Sequence, residues 1–98
     1  MFVLELTYTA PLDQVDAVLE AHRAWLDERF AEGVFLAAGR KNPRDGGVIL
    51  AVAEDRERVE EIAAGDPFVT ADVCVYRITE FVAVMTAPAL EQYRETPS

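Results

Sequence analysis

"VFLAAGRKNPRDGGVILAVA", residues 34–53, decides the fold. Two apolar runs, 34–40 and 48–53, flank "KNPRDGG" at 41–47, where Asn-Pro, Asp-Gly and Gly-Gly each break regular structure. The pattern predicts two strands joined by a turn. A hairpin alone fits many folds. This one is decisive because a helical pattern lies on each side of it and a strand pattern lies beyond each helix.

On the N-terminal side, "FVLELTYT" (2–9) alternates. Phe2, Leu4, Leu6 and Tyr8 fall on one face, and Val3, Glu5, Thr7 and Thr9 on the other. "PLDQVDAVLEAHRAWLDERFAEG" (11–33) then carries Leu12, Val15, Val18, Leu19, Trp25, Leu26 and Phe30 at helical spacing. Pro11 suits a first turn, Asp13 and Asp16 suit a helix N-terminus, and Gly33 ends the run. On the C-terminal side, "EDRERVEEIAAG" (54–65) predicts a shorter helix with Val59, Ile62 and Ala63 inward. "VCVYRITEFVAVM" (73–85) predicts a long last strand. The expected organisation is one α+β domain over 1–85 and a polar tail or arm over 86–98. The order β-α-β-β-α-β is the ferredoxin-like pattern: a four-stranded antiparallel sheet with two helices on one face.

The other sheet face is not polar. Residues 48–53 are apolar on both sides, and neither alternating set of the last strand is free of apolar residues. A half-covered sheet of this kind meets a partner. The economical partner is a second copy, giving a barrel-like homodimer with pockets at the junction.

Composition narrows the function. The 98 residues carry nine Lys+Arg against eighteen Asp+Glu, a formal charge of −9, which opposes binding to nucleic acid or an anionic membrane. The lone Cys74 excludes an internal disulfide framework. No window reaches the length of a membrane span, and no basic segment precedes the opening apolar run, so a cytoplasmic protein is expected. One His and one Cys do not make a usual zinc site, so neither metal nor cofactor is expected. The only serine, Ser98, is terminal, which argues against a serine triad.

His22, the single histidine, lies three residues after Leu19 and three before Trp25, on the apolar stripe. It therefore points toward the sheet, where an imidazole serves either as acid–base catalyst or as a bonded structural group. Asp66 in "GDPFV" (65–69) has two readings as well. It caps a turn, or it is a carboxylate held rigid by Pro67, with Phe68 anchoring the turn, to orient an imidazole. Arg40, Lys41 and Arg44 are the one basic concentration, either a solvated turn or a mouth that attracts an anion. Arg40 directly follows its strand and is the better ligand-binding candidate. Tyr8 and Phe68 are candidates for the pocket wall.

"LEAHRAWL", "GVFLAAGR" and "DPFV", taken in order over about residues 2–84, resemble the YciI-like (YCII-related) family, which is similar to the wider dimeric α+β barrel group. The resemblance implies a ferredoxin-like protomer, a homodimer and a His–Asp pair, here His22 and Asp66. One branch of that family eliminates chloride from a chlorinated hydroxyquinol without a cofactor. In "TADV", Asp72 stands where the family commonly has a small residue, often Gly.

The function expected is a small cofactor-independent enzyme of lyase or isomerase type. His22 and Asp66 would perform general acid–base chemistry on a small aromatic or anionic molecule: proton abstraction, isomerisation or elimination. The alternatives are a non-catalytic dimeric module that binds a small ligand, a purely structural His–Asp tie, and a heme-free monooxygenase.

Overall fold

The computed structural model describes residues 1–97. Its elements are β1 (Phe2–Tyr8), α1 (Leu12–Ala17), α2 (Leu19–Ala31), β2 (Phe35–Arg40), β3 (Gly46–Ala51), α3 (Arg56–Ala64), α4 (Pro67–Thr70) and β4 (Cys74–Glu80). A 3-10 turn follows at Pro88–Tyr93. The four strands form one antiparallel sheet in the order β2-β3-β1-β4. This is the expected ferredoxin-like α+β arrangement, with β1 and β3 central.

Alternation in β1 sets the core. Phe2, Leu4 and Leu6 are buried under the helices, and Ala51 and Ile49 of β3 lie opposite Phe2 and Leu4. Val59, Ile62 and Ala63 of α3 face inward as their spacing predicts. Each large side chain buried this way contributes about 1.5–3 kcal/mol. Asp55 starts α3 by accepting a hydrogen bond from the Arg58 amide at 2.9 Å.

Three boundaries differ from the sequence reading. The long first helix is two helices, because Val18 (φ −115°, ψ 9°) leaves the helical region between α1 and α2. This turn leaves Leu12 exposed while Val15 is fully buried. The third strand begins at Gly46, not Val48, so the Gly-Gly pair belongs to the sheet: Gly46 lies opposite Thr7 and Gly47 opposite Leu6. A Cβ on Gly46 would sit 1.8 Å from the Leu6 carbonyl oxygen, so close backbone approach demands glycine here. The last strand stops at Glu80, because its neighbour β1 begins at Phe2, the partner of Glu80. Beyond it, Glu95 returns to residue 83: its amide donates to the Ala83 carbonyl at 3.0 Å and its carboxylate accepts from the Ala83 amide at 2.7 Å.

Two outcomes follow for stability. Gly46→Ala forces backbone apart and is expected to cost at least the roughly 1–3 kcal/mol of an overpacked site, whereas Gly39→Ala, with nothing within 4 Å of its Cβ, leaves the urea midpoint nearly unchanged. Cys74 is buried, and burial first, then the nearby Asp66 charge, push its thiol from 9.0 up to about 12. In that window the folded chain keeps a proton that the unfolded chain has lost, so stability falls as pH rises, by up to about 1.4 kcal/mol per pH unit. Urea unfolding at stepped pH from about 8.5 to about 10, below the range in which Tyr76 of the unfolded chain also loses its proton, is expected to show this decline, and Cys74→Ala to remove it.

Candidate active site

Helix α2 carries His22 inward, where it is 8% exposed. The chain leaves α3 at Gly65, and Asp66 then caps α4 by accepting the Phe68 amide on Oδ1 at 2.9 Å. Pro67 occupies the first helical position, where its missing N–H costs nothing. The same Asp66 Oδ1 lies 2.7 Å from His22 Nδ1. Asp66 Oδ2 accepts the Tyr76 hydroxyl of β4 at 2.5 Å. The carboxylate is 0% exposed, so all of its solvation comes from these three donors.

The hydrogen bonds assign the histidine tautomer. An ionised carboxylate only accepts, so Nδ1 carries a proton, and in the neutral ring Nε2 then presents the lone pair. Among the described residues Nε2 has no hydrogen-bond partner. The ring lies parallel to Phe68, 3.8 Å between centroids at 6°, with Trp25 at 5.8 Å on the same helix. Phe68 therefore fixes the plane of the imidazole and Asp66 fixes its rotation.

His22 opens on a cavity of 540 Å³ between α2 and the β2–β3 hairpin. Tyr8, Arg40 and Phe68 line it too, so the structure brings four of the five residues singled out in the sequence to one cavity. Asp66 stands behind His22 and does not line it. Leu19, Leu26 and Phe30 make an apolar wall, and Gly46 and Gly47 form part of the floor. Arg44 also borders the cavity. Its guanidinium bonds Asp16 at 2.5 Å, which holds the Asp16 carboxyl below its usual range, and lies 5.8 Å from the Tyr8 ring centroid. Arg40 makes no ion pair among the described residues. Among those residues no three His, Cys, Asp or Glu side chains converge as a metal site requires.

Asp72, where the family commonly has a small residue, is exposed and does not line the cavity. Its φ of 58° is left-handed, a conformation that glycine and aspartate adopt more readily than most residues. Tyr76 is the site residue that sequence reasoning missed. The signal was present: the alternation of the last strand puts Cys74, Tyr76 and Ile78 on one face. Only the register, with Tyr76 opposite Leu6, places its hydroxyl at Asp66.

A solved structure shares this fold. It is 5-chloro-2-hydroxyhydroquinone dehydrochlorinase from Burkholderia phenoliruptrix AC1100, in complex with 2,5-dihydroxybenzoquinone, at a TM-score of 0.66 and 18% identity, covering 83% of this chain and 93% of that one. No curated protein matches the chain significantly in sequence. The YCII-related domain model matches residues 1–82, and with that match over most of its length the chain belongs to the YCII-related family.

Proposed function

We propose that this protein is a cofactor-independent acid–base enzyme acting on a small organic molecule held in the 540 Å³ cavity. The observation that carries the reading is the His22 Nδ1–Asp66 Oδ1 contact of 2.7 Å, with Nε2 left without a partner among the described residues beside the cavity. In this reading Nε2 takes a proton from an acidic O–H or C–H of the substrate. The electron pair left behind forms a new double bond and either expels a leaving group or is reprotonated elsewhere. Asp66 balances the imidazolium that forms. No electron acceptor is needed. Arg40 and Arg44 would favour an anionic or phenolic group, and Tyr8 and Phe68 would pack against a ring. The ring-shaped ligand of the dehydrochlorinase supports a substrate of that size.

The protein would work as a homodimer through its uncovered sheet face. That face carries Val3, Val48, Leu50 and Val75 beside Glu5 and Arg77, and Val48 and Val75 are exposed in the protomer. Phe81, Val82, Val84 and Met85 extend the exposed apolar surface past β4. A lone buried thiol suits a cytoplasmic setting.

Three measurements test these readings. His22 is followed by NMR across a pH series in the wild type and in Asp66→Asn. The amide keeps a carbonyl oxygen to accept from Nδ1–H but removes the charge, so His22 is expected to protonate at lower pH. An unchanged titration defeats the acid–base pair and leaves Asp66 as a helix cap. With a substrate found by screening phenolic and anionic compounds, His22→Ala is expected to lower turnover about 10²–10⁴-fold with the fold retained. Sedimentation velocity is expected to give a dimer, and Val75→Glu, which sets a charge in the apolar face, to give monomers. A monomeric wild type overturns the dimer.

A further inference from the structure

We propose that Tyr76 is a positioning residue for the His22–Asp66 pair, acting on the imidazole through the carboxylate; this rests on the acid–base reading above. The geometry is specific. Tyr76 reaches Asp66 from β4, whereas His22 reaches it from α2 and the Phe68 amide from α4. Among the described residues Oδ1 holds two donors, His22 and Phe68, and Oδ2 holds Tyr76 alone. The hydroxyl therefore fixes the rotation of the carboxylate about its Cβ–Cγ bond, so that Oδ1 stays on Nδ1. It also draws negative charge toward Oδ2, away from the imidazole.

The phenol is suited to a permanent donor role. Burial, then the adjacent Asp66 charge, push its ionisation far above the ordinary value of 10.0, so it stays a donor through the neutral range. Tyr76 is not among the residues lining the cavity, so it does not touch a substrate there. Its influence passes through Asp66 alone. The consequence has a definite sign. A strong donor on Oδ2 makes the carboxylate a weaker partner for the imidazolium and keeps Nε2 a base that releases its proton after each turnover. Removing the donor leaves the full charge facing Nδ1 and favours the protonated ring.

The test follows His22 by NMR in the wild type and four variants. Tyr76→Phe is expected to raise the pH at which His22 protonates, opposite in direction to Asp66→Asn. In the Asp66→Asn background, the same Tyr76→Phe change is expected to move His22 by less than half of its effect in the wild type. Replacement of Tyr76 by 3-fluorotyrosine keeps the shape and strengthens the donor, and is expected to lower the protonation pH of His22. This replacement keeps the question answerable if Tyr76→Phe does not fold. If Asp66→Asn moves His22 while the Tyr76 changes do not, Tyr76 is a structural tie and the proposal fails with the pair intact. Equal Tyr76 effects in both backgrounds overturn action through Asp66. An unmoved His22 in Asp66→Asn overturns the pair and the proposal together.

Discussion

A carboxylate with no access to water sits at the junction of three elements. Burying Asp66 unpaired would cost several kcal/mol, so the surrounding chain is organised to supply donors: the α4 amide, the α2 histidine and the β4 tyrosine. These contacts set where α4 starts and how α2 is rotated. They also place α4 against β4. The apolar core could be satisfied by several small shifts of the helices. The three hydrogen bonds on one carboxylate tie α2, α4 and β4 together and restrict those shifts.

The same constraint produces the candidate site. A histidine facing a sheet through an apolar stripe would ordinarily bury both ring nitrogens. Here Asp66 engages only Nδ1, and Phe68, carried by the turn that Asp66 caps, lies flat on the ring at 3.8 Å. One nitrogen is thus held inside the structure and the other is left for the cavity. Stability and chemistry share residues: the cap of α4 is also the group that orients the base.

The hairpin completes the cavity by what it lacks. Gly46 and Gly47 enter β3 rather than the turn; the missing side chain of Gly46 lets β3 approach β1 at Leu6, that of Gly47 lets it approach β2 at Gly39, and both leave open floor in the cavity. Arg44, drawn over Tyr8 by Asp16, brings positive charge to the rim of a protein with a formal charge of −9. The basic group of the turn and the apolar stripe of α2 therefore meet around one volume although they lie far apart in the chain.

Much of this was legible in the chain itself. Alternation in "FVLELTYT", helical spacing from Leu12 to Phe30 and turn residues at 41–47 determined the element order and hence the fold. Local chemistry singled out His22 in an apolar stripe and Asp66 before a proline. These signals survive because they depend on near neighbours: periodicity, caps and φ restrictions. The break at Val18, the strand role of Gly46 and the hydroxyl of Tyr76 on Asp66 were decided only by tertiary structure. Each depends on which residue lies opposite across a sheet or between packed layers. For Gly46 and Tyr76 strand register fixes that, and no single strand contains its own register.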